Sequence, residues 1–127
     1  DCKDKKIINS FEKIVKTADN LVNTGIISDE AVDRIIQAIN EAKEKLSFNE
    51  VVAIATEALR QANNKDEVLQ KIKQNTNIEF KIISAQEEAY YTTLAVEDFL
   101  SKHYNYKNMF LVDIGGGSTE LILKTKK

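Results

Sequence analysis

The stretch Val112-Asp113-Ile114-Gly115-Gly116-Gly117-Ser118-Thr119-Glu120-Leu121 contains three of the chain's four glycines side by side. Apolar residues flank the glycines, which predicts a strand, a glycine turn and a second strand. Glycine lacks a Cβ, so a large partner can approach its backbone and successive N–H groups can point at one anion. The residue types therefore indicate a phosphate-binding turn. The simpler alternative is a glycine-loosened hairpin without a ligand.

Polar side chains adjoin these glycines. Ser118 and Thr119 add hydroxyl donors directly after the turn. Asp113 before it and Glu120 after it could hold a metal ion that neutralises phosphate charge. The predicted site thus combines an anion-binding turn with two acids.

Composition excludes several classes of protein. A chain of 127 residues, 43% of them hydrophobic, is long enough for one ordinary domain with a core. Its formal net charge of −2 gives no indication of nucleic-acid binding, and no apolar run approaches the ~18 residues of a membrane span. Cys2 is the only cysteine and His103 the only histidine, so neither a disulfide within the chain nor a Cys- or His-based metal site is expected. A lone thiol fits a reducing compartment, and we expect a cytoplasmic protein.

Periodicity predicts strands and helices in alternation. Helices are predicted over residues 29–46, 57–62, 65–74 and 85–102, with a turn at 63–64. Strands are predicted over residues 11–17, 51–55 and 78–83, ahead of the strand pair around the glycines, and 19–27 is predicted as a loop. Ser28 is a good N-cap for the first helix. Apolar residues at helical spacing predict one apolar stripe along this helix, formed by Val32, Ile35, Ile36, Ile39, Ala42 and Leu46. This order is typical of a layered α/β fold with parallel pairing in the middle.

Two acids open the long helix in the sequence Ser84-Ala85-Gln86-Glu87-Glu88. Ser84 and Glu87 have the spacing of a capping box, and Glu88 would complement the helix dipole, so both acids have a purely structural explanation. A carboxylate near a phosphate could instead orient or deprotonate an attacking water. A helix N-terminus that follows a parallel strand is also the usual place for an α/β active site.

Arg60 lies at another predicted junction between a strand and a helix. Its planar guanidinium would suit a phosphate bound above the sheet. The plain alternative is a surface arginine without a ligand.

Taken together and in order, "ATEALRQANN", "ISAQEEA" and "VDIGGGSTEL" resemble the exopolyphosphatase / guanosine pentaphosphate phosphohydrolase (Ppx/GppA) family. That family belongs to the actin-like ATPase superfamily, which implies a ribonuclease H-like α/β domain with a mixed central sheet flanked by helices. The resemblance covers roughly residues 7–124. It implies hydrolysis of a terminal phosphoanhydride in inorganic polyphosphate or guanosine pentaphosphate, assisted by a divalent metal, usually Mg²⁺.

The resemblance also implies roles for single residues. Glu88 looks like the glutamate that activates the attacking water, and Arg60 looks like the arginine at the phosphate site. Asp113 and Glu120 look like the acids around the metal and the phosphate. The second phosphate-binding loop would consist of Gly115, Gly116, Gly117, Ser118 and Thr119.

Two positions depart from the usual pattern of the family. The family usually has serine where this chain has Glu57, and glycine where it has Ala85. The Cβ of Ala85 could alter the approach to Glu88. Glu57 brings negative charge close to the expected anion site, which is unfavourable unless its side chain points away.

The family's first strand and its "DIGSNS" phosphate loop have no match in this sequence, and the family continues with a second domain after "GGGSTEL". We therefore expect residues 1–108 to be a truncated first actin-like domain and residues 109–127 to open the second. Such a fragment would have little or no phosphatase activity alone. The 109–124 hairpin could fill the vacant place beside residues 7–17, within one chain or by swapping in a homodimer.

Two other functions remain open. The chain could be a fragment of an actin-like ATPase or sugar kinase, whose second phosphate loop also has an acid before the glycines and a hydroxyl after them. It could also be a non-catalytic phosphate-binding module. The "EEA" helix start and the "ATEALR" junction favour the phosphohydrolase. Polyphosphate or guanosine pentaphosphate is the expected partner, with no nucleic acid and no membrane.

Overall fold

The computed structural model describes residues 6–115 and 119–125 of the chain. Its helices are α1 (Leu21–Thr24), α2 (Asp29–Lys45), α3 (Glu57–Gln61), α4 (Lys65–Thr76) and α5 (Ala85–His103). Its strands are β1 (Ala53–Ala55), β2 (Phe80–Ile82), β3 (Asn108–Ile114) and β4 (Thr119–Thr125). The alternation from α2 to α5 is the α/β order that the sequence predicts. Within the described residues, none of the helices has the length and apolar character needed to cross a membrane.

The strands form two separate pairs. β1 and β2 are parallel, with Ala53 opposite Phe80, and α3 and α4 provide the crossover that parallel pairing requires. β3 and β4 are antiparallel, with Asn108 opposite Thr125 and Ile114 opposite Thr119. Both the predicted parallel pairing and the predicted terminal hairpin are confirmed.

The core lies between α2, α3 and α4. The Oγ of Ser28 accepts a hydrogen bond from the backbone N–H of Ala31 at 3.2 Å, which fixes the start of α2 as predicted. The apolar stripe of α2 then packs on α4. Complete burial of a side chain such as Ile72, which is 1% exposed, stabilises the fold by about 1.5–3 kcal/mol. The buried cluster consists of Leu21, Ile27, Ala31, Val32, Leu59, Ala62, Val68 and Ile72.

The loop over residues 19–27 contains the single turn α1 and is tied to the turn between α3 and α4. Gly25 ends α1 in the left-handed region at φ 70°, and its carbonyl oxygen accepts from the backbone N–H of Asn63 at 2.8 Å. The side chain of Asn64 accepts from the N–H of Ile27 and donates to its carbonyl, both at 2.9 Å. The two asparagines are therefore turn residues with a structural role, as predicted.

The strand predicted over residues 11–17 is wrong, because residues 6–16 have no regular secondary structure. Strand propensity is realised only when a neighbouring strand supplies hydrogen bonds, and within the described residues β1 pairs only with β2. The segment is held instead by α2, where Arg34 Nε donates to the carbonyl oxygen of Val15 at 2.8 Å.

The placement of the 109–124 hairpin beside residues 7–17 of the same chain is also wrong. Residues 7–17 offer no strand edge, and within the described residues β3 and β4 pair only with each other and pack on α5. Exchange of hairpins between two copies of the chain stays a prediction.

Candidate active site

Arg60 joins three parts of the fold. It lies in α3, and its Nη1 donates to the carbonyl oxygen of Ile83, which directly follows β2, at 2.9 Å. Its Nη2 donates to Oε2 of Glu88, near the start of α5, at 2.8 Å. The Arg60 side chain is only 17% exposed. The two junctions singled out in the sequence therefore meet at one cation. Arg60 is mostly buried rather than a freely exposed surface arginine, and its binding of a phosphate stays a prediction.

The two acids that open α5 have different surroundings. Oε2 of Glu87 accepts from the backbone N–H of Ser84 at 2.9 Å, while Oγ of Ser84 accepts from the backbone N–H of Glu87 at 3.1 Å. This capping box, together with a hydrogen bond from Lys81, lowers the pKa of Glu87. Glu88 turns instead toward Arg60. The structural explanation is confirmed for Glu87, whereas Glu88 contacts Arg60, which the "ATEALRQANN" motif supplies.

Glu57 also binds Arg60. Its Oε2 accepts from the same Nη2 at 2.7 Å, and its Oε1 accepts from Nε2 of Gln61. The negative charge that looked unfavourable in the sequence therefore faces a cation. Glu57 was absent from the predicted site residues, although its i,i+3 spacing from Arg60 could have indicated the contact.

Two opposing effects act on the Arg60 guanidinium. Burial by itself would lower the pKa of Arg60, but the hydrogen bonds from Arg60 to Glu57 and Glu88 outweigh it, and the pKa is raised above its ordinary value. An arginine has five N–H donors, and acceptors in the described part of the chain take three of them. Arg60 can thus hold Glu88 and still donate to an incoming anion.

The hairpin brings the other two predicted acids together. Asp113 on β3 lies directly opposite Glu120 on β4, and both are half-buried. Cross-strand partners of this kind have Cβ atoms about 4.5–5.5 Å apart. They lie on the face that packs on α5, where Oγ1 of Thr92 donates to Oδ2 of Asp113 at 3.2 Å and Lys124 pairs with Glu97 at 2.6 Å.

One face of α5 links the two groups of acids. Glu88 and Thr92 are four residues apart, so their side chains lie on the same face with Cβ atoms about 5–6 Å apart. Glu97 contacts β4 near the open end of the hairpin, while Thr92 contacts Asp113 near its turn. The helix therefore runs along the hairpin with its N-terminus toward the turn. Thr92 was missed in the sequence, although its spacing from Glu88 could have drawn attention to it.

The predicted phosphate loop is only partly described. Gly116, Gly117 and Ser118 lie outside the described residues. Ile114 pairs with Thr119, the last described pair of the hairpin before the predicted loop. Gly115 and Thr119, the two described residues of the predicted loop, are exposed.

Asp113 and Glu120 are the residues that could hold a metal ion. No group of three or more His, Cys, Asp or Glu side chains suited to a metal occurs among residues 6–115 and 119–125. Mg²⁺ usually takes only one or two carboxylates and completes its octahedral shell with waters and substrate phosphates. The facing pair therefore fits a Mg²⁺ ion that is bound together with a phosphate.

This α/β arrangement has the actin-like ATPase fold, which is shared by similar solved structures. The Ppx/GppA protein of Aquifex aeolicus superimposes with a TM-score of 0.74 at 29% sequence identity, over 89% of this chain and 37% of that one. An exopolyphosphatase from Cytophaga hutchinsonii gives a TM-score of 0.74 at 26% identity, over 89% of this chain and 36% of that one.

The sequence profile of the Ppx/GppA phosphatase family matches residues 3–127, and the chain belongs to this family. The resemblance stated from the three motifs is therefore confirmed.

Curated relatives agree with this assignment. Exopolyphosphatase 1 of Mycobacterium leprae is 30% identical over 117 residues, which cover 90% of this chain and 34% of the relative. A bifunctional 3-dehydroquinate synthase/phosphatase of Fusobacterium nucleatum is 31% identical over 124 residues, 94% of this chain and 18% of the relative. The chain thus spans about a third or less of the length of these relatives.

Proposed function

We propose that this chain is part of a phosphohydrolase that releases the terminal phosphate of inorganic polyphosphate, of guanosine pentaphosphate, or of both. The observation that carries the proposal is the 2.8 Å contact between Arg60 Nη2 and Glu88 Oε2. It holds a carboxylate and a guanidinium together at the N-terminus of a helix that follows a parallel strand, where α/β folds bind ligands. Membership of a phosphatase family and exopolyphosphatase relatives support the substrate class.

In this proposal Glu88 is the catalytic residue that orients the attacking water and accepts its proton. Oε2 of Glu88 is engaged by Arg60, and within the described residues its Oε1 makes no hydrogen bond and is available for the water. Arg60 fixes the carboxylate and offers its remaining N–H donors to the phosphate. Phosphoryl transfer mainly requires in-line positioning and charge neutralisation, and these residue types supply both.

The hairpin would bind the phosphate and the metal. The N–H groups of Gly115, Gly116 and Gly117 and the hydroxyls of Ser118 and Thr119 are proposed to bind phosphate oxygens. Asp113 and Glu120 would hold Mg²⁺, which when bound neutralises charge on the phosphate oxygens. The hydrogen bond from Thr92 keeps the Asp113 carboxylate on the α5 side of the hairpin.

We propose the same division of the chain that the sequence indicates. Residues 1–108 would belong to a first actin-like domain, and residues 109–127 would open the second domain of a longer, cytoplasmic parent protein. The isolated chain would then lack part of the phosphate site and have little or no activity.

Phosphate release from long-chain polyphosphate by the parent protein tests the proposal. Glu88→Gln should abolish release, because an amide is too weak a base to accept a proton from water. Glu67→Gln is the matched control, since Glu67 also lies in the first turn of a helix but is exposed, on α4. Equal release by the native protein and Glu88→Gln would refute the role of Glu88, and preferential hydrolysis of ATP would favour an actin-like ATPase.

A further inference from the structure

Glu57 is held in place by two donors from its own helix. Its Oε2 accepts from Arg60 Nη2 at 2.7 Å, and its Oε1 accepts from the Gln61 side chain. These partners lie three and four residues further along α3, on the same helix face. Each Glu57 oxygen therefore has a fixed partner. Solvent can still reach the side chain, which is 27% exposed.

Two carboxylates share one nitrogen of Arg60. Nη2 carries two hydrogens and donates both. Its nitrogen lies 2.7 Å from Oε2 of Glu57 and 2.8 Å from Oε2 of Glu88. Nη1 is fixed by the carbonyl oxygen of Ile83 at 2.9 Å. Glu57 therefore occupies one N–H donor of the Arg60 guanidinium. Without Glu57, the guanidinium could bind a second anion through two hydrogen bonds, as arginine typically binds phosphate.

We propose that Glu57 is an internal competitor for the substrate phosphate, and that it determines how tightly the site binds polyphosphate. Its carboxylate is an anion that already accepts a hydrogen bond from Arg60 Nη2 through one oxygen. It also leaves the group of Glu57, Arg60 and Glu88 with a net charge of −1 rather than zero. Both effects weaken the binding of a polyanion.

The inference deepens the proposed function and rests on it, because it assumes that Arg60 faces the substrate phosphate. Glu57 should affect substrate binding but not the attack of water, because Glu88 keeps its hydrogen bond from Arg60 Nη2 whether or not Glu57 is present. A mutation that changes KM while kcat stays constant is the kinetic signature of such uniform binding.

Steady-state kinetics of the parent protein with long-chain polyphosphate tests the inference. Glu57→Ser should lower KM by about fivefold and leave kcat within about twofold, because it frees the Nη2 donor and removes a charge. Glu57→Gln removes the charge but keeps an acceptor oxygen, so its KM should lie between those of the native protein and Glu57→Ser. Glu67→Gln, which loses the same charge at an exposed site on α4, should leave KM unchanged.

A binding measurement on the 127-residue chain separates this inference from the proposed function. NMR titration with inorganic tripolyphosphate, followed at the Arg60 side-chain N–H signals, should give about fivefold tighter binding for Glu57→Ser than for the native chain. Gln61→Ala should shift binding in the same direction, since it loosens the anchor of Glu57.

Each contrary result has a distinct meaning. A native parent protein that releases no phosphate refutes the proposed function, while the titration still measures competition at Arg60. An active parent protein in which Glu57→Ser raises KM or lowers kcat by tenfold overturns the inference alone, because Glu57 would then position Arg60 rather than compete for it. Equal tripolyphosphate affinities for the native and Glu57→Ser chains also overturn it, because Glu57 would then not compete for Arg60.

Discussion

Glu88 and Thr92 occupy the same face of α5 one turn apart, and each contacts a different part of the candidate site. Glu88 accepts a hydrogen bond from Arg60 at 2.8 Å, and Thr92 donates one to Asp113 at 3.2 Å. A single helix thus couples the guanidinium at the sheet edge to the acids of the hairpin. Its rigidity sets the separation of these two groups.

The contact of Thr92 with Asp113 gives a first prediction. Thr92→Val keeps the shape of the side chain but removes the donor, so the free energy of unfolding should fall by about 1 kcal/mol. The hairpin should also detach more readily from α5. Urea denaturation measures the first effect, and amide hydrogen exchange of β3 measures the second. Thr125→Val, an exposed exchange at the end of β4, is the control, and an equal loss in both variants would contradict the prediction.

Arg60 gives a second prediction, because three acceptors depend on its planar guanidinium. Arg60→Lys keeps the positive charge, but an ammonium cannot reach Ile83, Glu57 and Glu88 together, and the free energy of unfolding should fall by about 1–3 kcal/mol. Arg34→Lys is the matched exchange at the other arginine, whose side chain is 38% exposed. It should lower the free energy of unfolding by a smaller amount. Denaturation of both variants in urea gives the comparison, and a larger loss for Arg34→Lys would contradict it.

The features that could be predicted from the sequence are those set by residues close together in the chain. The cap of Ser28, the capping box of Ser84 and Glu87, and the apolar stripe of α2 all follow from spacing within one helix. The hairpin of β3 and β4 is equally local, since its apolar strands flank one run of glycines. Each of these predictions is confirmed within the described residues.

The features that could not be predicted depend on partners far away in the chain. The β-branched segment 11–17 reads as a strand, but strand formation needs a neighbour that spacing does not supply. Glu57 is the exception, because its partner Arg60 lies only three residues away and this spacing could have indicated the contact. The meeting of Arg60 with Glu88 depends on the parallel pairing of β1 and β2.

The capping box gives a prediction about pH. The backbone hydrogen bond from Ser84 and the hydrogen bond from Lys81 lower the pKa of Glu87 from its ordinary 4.5 in the folded chain. A carboxyl whose pKa is lower in the folded state stabilises the fold above pH 4.5, and this contribution is lost as the pH falls through the lowered pKa. Glu87→Gln should therefore destabilise the chain at pH 7 and have a smaller effect at pH 3.

Urea denaturation at the two pH values measures this difference. Glu12→Gln removes the same charge at an exposed position outside the helices and controls for net charge. A loss of stability for Glu87→Gln that is equal at pH 3 and pH 7 would show that the ionised capping box contributes nothing.

Gly25 gives the last prediction, since it is the residue at which α1 ends and the loop turns toward Asn63. Its φ of 70° lies in the left-handed region, and a Cβ built there would come within 2.7 Å of Asn63 Nδ2. That amide is the end of a flexible side chain and can move, so the backbone strain dominates, and Gly25→Ala should destabilise the chain by about 1–2 kcal/mol. Gly25→Asn should cost less in the same thermal or urea unfolding experiment, because asparagine tolerates this region better than alanine. A greater loss for Gly25→Asn would mean that the close approach to Asn63, rather than the backbone conformation, is the reason for glycine at this position.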